Sequence, residues 1–231
     1  MKIDCFLPTF DRTPNRIEWC RKTLTFLMNI PELQITLFDA GSKQEQLDWF
    51  KKQGLKVVEQ PLDGSIHRRF LLAELYARSD YYIFADNDHV PVTENWLPRA
   101  LEVLEAHKQF GYVLLRRTHC DFSHDHQFID NDIRSIGHGG GFGFIKRNCR
   151  DAAKGPFRVP LLFNPNDPDD RQYTSAIKKS GLLVGQFEKI YALDQGHGES
   201  SAWWQCRGDI KSMQDLDMNH LRDTGYAKVK E

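Results

Sequence analysis

The sequence predicts an α/β fold with a central, mostly parallel sheet flanked by helices. Three observations predict it. Short apolar, β-branched runs alternate with amphipathic stretches of helical period through the first 90 residues, the pattern of parallel strands joined by helical crossovers. The run Tyr81-Tyr82-Ile83-Phe84-Ala85 is aromatic and β-branched and reads as a buried strand. It stops at Asp86-Asn87-Asp88, and two carboxylates cannot stay ionised inside such a core without partners. They belong at the strand's carboxyl end, where open α/β sheets place their ligands.

The elements follow in order. Ile3–Leu7 is a strand ended by Pro8-Thr9-Phe10-Asp11-Arg12, and Ile17–Met28 is an amphipathic helix. Gln34–Phe38 is a second strand, closing on Asp39-Ala40-Gly41-Ser42. Glu45–Gln53 is a helix with Gly54 in a C-cap role. Lys56–Glu59 is a third strand, and Ser65–Arg78 is a helix feeding the fourth, Tyr81–Ala85. Beyond it, Glu94–His107 is a helix, Phe110–Arg116 a strand, and His119–Asp132 a polar loop rich in His and Asp. The glycines of Gly139–Gly143 form a turn running into a strand that ends at Lys146, with backbone able to approach a ligand closely. Asp170–Lys179 is a helix stopped by Ser180-Gly181, Leu182–Ala192 is strand-rich, and Asp194–Ser201 is a polar loop. The tail is helical around Gln214–Leu221. The chain reads as one domain: a nucleotide-binding half over 1–90, a second half over 91–201, and a tail over 202–231.

A chain of 231 residues can bury a real core. Its net charge of −1 gives no basic excess that would point to nucleic acid as the main partner. No apolar stretch approaches the roughly 18 residues of a membrane span, so no integral membrane segment is expected. The start, Met1 to Pro8, is too short and too acidic for a signal peptide. Five cysteines without a Cys-x-x-Cys pair fit free thiols in a reducing cytosol, so a cytoplasmic location is expected. The absence of Gly-x-Gly-x-x-Gly and Walker loops argues against dinucleotide and P-loop chemistry.

Two carboxylates at the end of a buried strand can hold a divalent cation together with a diphosphate, because Mg²⁺-type ions take one or two protein carboxylates plus phosphate oxygens. A polar turn is the plainer reading, since Asp and Asn are common turn residues. Asp39, after the second strand, suits a hydrogen bond to a base or ribose, or serves as a turn residue. Arg68 and Arg69 suit phosphate, or form a solvated helix face. The stretch His119, Asp121, His124, Asp125, His126 fits no structural zinc spacing and reads as a solvated loop. Trp203 and Trp204 are candidates for stacking on a ligand, or are core aromatics.

These residues resemble the inverting glycosyltransferases of family 2, with the GT-A fold. Over residues 1–201 the landmarks occur in the family's order: Pro8 to Arg12 as Pro-Thr-x-Asp-Arg, Asp39 to Ser42 as Asp-x-Gly-Ser, Asp86-Asn87-Asp88 as Asp-x-Asp, and Asp169-Asp170 with Gly181 eleven residues on. His197-Gly198-Glu199-Ser200 is similar to the late histidine that joins the metal in many GT-A enzymes. Three departures stand out. The acid pair is usually Glu-Asp, His67-Arg68-Arg69 replaces an Ala-Arg-Asn helix, and the acceptor-helix Trp-x-x-Arg pattern is missing, so an atypical acceptor is expected.

The resemblance implies transfer of a sugar from a nucleotide-diphosphate sugar to a hydroxyl with inversion, by a hexosyl- or pentosyltransferase. A UDP-sugar is the favoured donor. The acceptor hydroxyl would lie on a glycan, a lipid-linked sugar, a protein or a modified nucleic-acid base. Pro8, Thr9, Asp11, Arg12, Asp39, Arg68, Arg69, Asp86 and Asn87 would bind the donor. Asp88 and His197, with Asp86, would hold a divalent cation, Mn²⁺ favoured over Mg²⁺ because of the imidazole. Asp170 would be the general base, and Asp169 would orient it or bind acceptor. Two other classes share some of these parts: a nucleotidyltransferase or other metal-dependent phosphoryl-group enzyme, and a non-catalytic carbohydrate-binding protein on the same fold.

Overall fold

The computed structural model describes residues 2–11, 13–59, 72–118, 126–137, 139–147, 149 and 169–195, with backbone only at 126 and 169–172. Ten strands form one sheet: β1 (Ile3–Thr9), β2 (Leu33–Asp39), β3 (Lys56–Glu59), β4 (Tyr81–Ala85), β5 (His89–Pro91), β6 (Phe110–Arg117), β7 (His126–Phe128), β8 (Ile133–Ile136), β9 (Phe142–Lys146) and β10 (Leu183–Asp194). The helices are α1 (Pro14–Met28), α2 (Gln44–Lys52), α3 (Trp96–Ala106) and α4 (Asp169–Lys179), and residues 72–76 add a further helical turn.

The strand order is β3-β2-β1-β4-β9-β6-β10-β8-β7, with β5 on β10. The pairings set β1–β4, β6, β7 and β10 in one direction and β5, β8 and β9 in the other. The sheet is therefore mostly parallel. β1 and β4 are nearly continuous in apolar, buried residues, as expected of strands covered on both faces.

Two cores cover the two faces. Leu24 and Leu27 of α1, Phe50 of α2 and Trp96, Leu97 and Leu104 of α3 pack with Leu7, Ile83 and Phe144 on one side. Ala73, Ala77 and Tyr173 and Ile177 of α4 pack with Phe6, Phe38, Tyr82 and Tyr112 on the other. Each large apolar side chain removed from water in these layers is worth roughly 1.5–3 kcal/mol.

The sequence-derived elements hold over most of this frame, and the differences have local causes. β1 continues through Pro8 to Thr9. Thr9 O accepts from Ala40 N, so Thr9 faces β2 and Pro8 faces β4, whose register with β1 covers only Cys5 and Phe6. The missing proline N–H thus falls beyond that ladder. α1 begins at Pro14 because Thr13 caps it, accepting from Arg16 N at 3.4 Å, and proline suits the first turn. Gly54 lies just past α2 at φ +70°, the left-handed cap that its residue type implied.

The polar loop expected over His119–Asp132 is corrected by β7, a three-residue strand inside it. Asp130 Oδ1 accepts from Asp132 N at 2.8 Å and Ile133 N at 3.1 Å, and this turn delivers β8 back alongside β7. The start of the helix expected at Ser65, and the tail, lie outside the described residues.

Candidate functional site

β1 is flanked by β2 on one side and β4 on the other, so the chain winds away from it in both directions. The carboxyl ends of β1 and β4 border the crevice where doubly wound sheets bind ligands. Thr9 and Asp11 follow β1, Asp39 closes β2, and Asp86, Asn87 and Asp88 follow β4. The structure therefore brings these six sequence-predicted residues to one end of the sheet, with Pro8 beside Phe38 in the ladder.

Asp39 is buried, and both of its oxygens are occupied. Oδ1 accepts from Thr9 Oγ1 at 2.8 Å, and Oδ2 accepts from Gly41 N at 2.8 Å and Ser42 N at 3.1 Å. Gly41 sits at φ +101°, where a side chain is disfavoured. Ser42 Oγ in turn accepts from Asp11 N at 2.8 Å. Asp39 thus ties the ends of β1 and β2 together.

Asp11 is fully buried, accepting from Asn87 Nδ2 at 2.6 Å and from Gln46 Nε2 at 3.2 Å. Gln46 is fixed by Arg21 Nε at 2.8 Å. This chain of bonds anchors the middle residue of the Asp-x-Asp turn to α1 and α2. Burial raises the Asp11 carboxyl to about 6, against the lowering effect of the Cys20, Asn87 and Gln46 hydrogen bonds.

The sign of the resulting linkage is definite. A carboxyl raised in the folded state keeps its proton longer there than in the unfolded chain. Its contribution to stability is therefore present below the unfolded pKa and is lost as pH rises toward about 6. A shift of this size corresponds to about 3 kcal/mol. In EDTA, the unfolding free energy of wild type relative to Asp11→Asn should fall by about 2–3 kcal/mol between pH 4 and pH 7. A pH-independent difference would contradict the burial argument.

The Asp-x-Asp turn itself holds the most concentrated chemistry. Asp86, Asp88 and His89 each offer a ligand atom, all within 4.8 Å of one another, one group able to hold a metal ion among the described residues. Asp86 and Asp88 are half-buried, with 38% and 30% of their side chains exposed, whereas His89 keeps 3%. His89 Nδ1 lies 2.8 Å from Asp88 Oδ1 and 4.0 Å from Asp86 Oδ2. Burial pushes the Asp86 carboxyl up to about 6; His89 and Arg117 pull it down, and Asp88 and Asp194 add to the rise. Burial acts to lower the His89 pKa, but Asp194 and Asp88 outweigh it and the net direction is upward. Two carboxylates and an imidazole facing one point form a set that a cation satisfies.

Three residues absent from the sequence-derived site complete this region: His89, Arg117 and Asp194. Arg117 Nη1 lies 3.4 Å from Asp194 Oδ2, and its Nη2 donates to Gly140 O at 3.0 Å. Gln195 N donates to Asp88 O at 2.9 Å, while its side chain donates to Thr23 Oγ1 and Trp19 O on α1. His89 was legible as the residue that follows Asp-x-Asp. Arg117 and Asp194 reach it only through the pairing of β10 with β6 and β5.

The glycine run meets protein. A Cβ on Gly143 would lie 2.4 Å from Tyr112 Cε2, and one on Gly139 would lie 2.5 Å from Leu114 Cδ1. Gly141, at φ +118°, would place a Cβ 3.1 Å from both Arg117 Nη2 and His89 Nε2, and its carbonyl accepts from Asp86 N at 3.0 Å.

Asp169 and Asp170 open α4, with their side chains outside the description. The helix is docked by Tyr173, whose hydroxyl lies 3.3 Å from that of Tyr82 on β4. Arg12, Arg68, Arg69, His197, Trp203, Trp204 and the 119–125 stretch lie outside the described residues. Cys5, Cys20 and Cys149 are buried. No helix among the described residues is long and apolar enough to cross a membrane.

No protein-family model matches the chain, and no curated protein matches its sequence. Solved structures do. S. aureus TarS 1–349 superposes at TM-score 0.60 with 14% identity over 83% of this chain and 60% of that one. The same TarS fragment in complex with UDP-GlcNAc gives TM-score 0.58 at 14% identity, over 84% and 58%. The mannosyltransferase PcManGT from Pyrobaculum calidifontis, in complex with GDP-Man and Mn²⁺, gives TM-score 0.62 at 15% identity, over 97% and 69%. The chain thus spans about three fifths of the TarS fragment's length. With a mostly parallel sheet, helices on both faces and carboxylates at the switch point, the chain has the α/β fold of these glycosyltransferases.

Proposed function

We propose that this chain is a metal-dependent glycosyltransferase that moves a sugar from a nucleotide-diphosphate sugar to an acceptor hydroxyl with inversion. The observation that carries the reading is the Asp86, Asp88, His89 group at the switch point between β1 and β4. The fold similarity to proteins solved with UDP-GlcNAc and with GDP-Man and Mn²⁺ supports it.

Asp88 and Asp86, with His89 and the later His197, would hold a divalent cation, and imidazole ligands favour Mn²⁺ over Mg²⁺. The fit rests on the donor set, in which a buried imidazole nitrogen and two carboxylates converge. A cation bound there supplies positive charge to the departing diphosphate. Gln195, hydrogen-bonded to Asp88 O, leads the chain toward His197 from beside the turn.

The remaining residues would bind, orient and move a proton. Pro8, Thr9, Asp11, Arg12 and Asn87 frame the nucleoside at the ends of β1 and β4, with Asp39 holding that frame in shape or meeting the base. Arg68 and Arg69 would bind the diphosphate as permanent cations. Asp170 takes the proton from the acceptor hydroxyl as its oxygen attacks the anomeric carbon and the bond to the diphosphate breaks. Asp169 orients that carboxylate or the acceptor. A single displacement inverts the anomeric centre and needs no protein nucleophile. A UDP-sugar is the proposed donor and the cytoplasm the proposed location, in line with five cysteines that include no Cys-x-x-Cys pair.

The test is calorimetric titration with UDP and GDP, in Mn²⁺ and in EDTA. One nucleotide should bind at least tenfold more tightly in Mn²⁺. Equal affinity in both conditions would remove the metal from the account.

A further inference from the structure

We infer that Asp194 is a positioning residue for His89: it fixes which ring nitrogen carries the proton and so aims the other nitrogen at the cation shared with Asp86 and Asp88. The inference rests on the proposed metal at the Asp-x-Asp turn and adds to it a residue from the far end of the sheet.

The His89 ring is buried between carboxylates on both sides. Nδ1 faces Asp88 at 2.8 Å and Asp86 at 4.0 Å; Nε2 faces Asp194 Oδ2 at 3.6 Å. That buried Nε2 has no hydrogen-bond partner among the described residues. Two carboxylates facing Nδ1 leave no place for a lone pair unless a positive charge sits between them. With a cation on the Nδ1 side, the ring proton must lie on Nε2, and Asp194 is the acceptor in front of it. A carboxylate that holds the outer N–H of a metal-binding imidazole fixes both tautomer and ring orientation.

The backbone delivers this contact. β5 and β10 pair antiparallel with His89 directly opposite Asp194, and the next residue, Gln195, donates to Asp88 O at 2.9 Å. Arg117 Nη1 lies 3.4 Å from the same Asp194 Oδ2. Gly141 completes the space, since a Cβ there would crowd both His89 Nε2 and Arg117. Asp194 is 8% exposed, so its carboxylate meets these protein partners rather than bulk water.

The experiment measures the Mn²⁺ concentration that half-restores tight UDP binding, by calorimetry on folded proteins checked by circular dichroism. Asp194→Ala should raise that concentration about 10–100-fold. Asp194→Asn should recover part of the loss, because its amide oxygen still accepts from Nε2–H. In a His89→Gln background, Asp194→Ala should add no further loss, since residues that act as one unit are not additive. An additive loss there, or wild-type Mn²⁺ dependence in Asp194→Ala, would overturn the inference while leaving the metal site standing. UDP binding by wild type that ignores Mn²⁺ would overturn the metal reading itself, and the inference with it.

Discussion

Asp88→Ala should erase the Mn²⁺ dependence of nucleotide binding. Asp88 stands at the end of a buried strand, its Oδ1 2.8 Å from His89 Nδ1. Removing it takes away one of two carboxylates in the group, whereas losing even an outer partner of a ligand costs about 10–100-fold in metal affinity. A loss of more than about 100-fold in Mn²⁺ affinity is therefore expected. Binding of UDP in EDTA should change little, because the frame made by Thr9, Asp11 and Asp39 is hydrogen-bonded independently of Asp88. The fold should persist, since Asp88 is half-buried and its backbone bond to Gln195 N does not involve the side chain. Unchanged Mn²⁺-dependent affinity in a folded variant would discard Asp88 as a ligand.

The second large effect is expected on turnover alone. Asp170→Asn keeps the size of the side chain and removes its basicity, and a well-placed general base contributes roughly 10²–10⁴-fold. Turnover should fall by about that factor with donor affinity nearly unchanged, the mark of an interaction made in the transition state. Stability should hold because Asp170 lies in the first turn of α4, where one carboxylate's interaction with the helix N-terminus is worth only about 0.3–1 kcal/mol, and because α4 is fastened through Tyr173 and Ile177 to the core. Steady-state kinetics with the accepted acceptor, alongside UDP titration, separates the two. Wild-type turnover in Asp170→Asn together with loss in Asp169→Asn would move the base to the earlier carboxylate.

The first half of the fold was legible because its strands carry their own signal. Tyr81–Ala85 and Lys56–Glu59 lie where the apolar runs predicted them. The carboxylates after β4 were legible for the same reason: an apolar strand that ends in two acids points to its own ligand end. The second half was less so. β5, β7 and β8 are three or four residues long and carry His89, Gln127, Arg134 and Ser135. Such strands form because partners are already in place, and no periodicity survives over so few residues. The insertion of β9 antiparallel between β4 and β6 is likewise a property of the assembled sheet. The glycines before it looked like room for a ligand, whereas Gly139 and Gly143 make room for Leu114 and Tyr112.

The site followed the same division. Thr9, Asp11, Asp39, Asp86, Asn87 and Asp88 were visible because they terminate strands that the pattern already located. Asp194 and Arg117 were not, because nothing local distinguishes a charged residue at the end of a strand that borders the site from one that faces water. His89 lay between these cases. It adjoins the motif, but only the β5–β10 ladder shows that its ring is buried between Asp88 and Asp194.

The most direct measurement is the identity of the small-molecule product. Wild type is incubated with a panel of nucleotide sugars and Mn²⁺, with Asp88→Ala as the control, and the nucleotides are separated by chromatography. The account predicts release of nucleoside diphosphate that depends on Mn²⁺ and on Asp88. Release of pyrophosphate in its place would contradict sugar transfer and assign the strand-end carboxylates to nucleotidyl transfer.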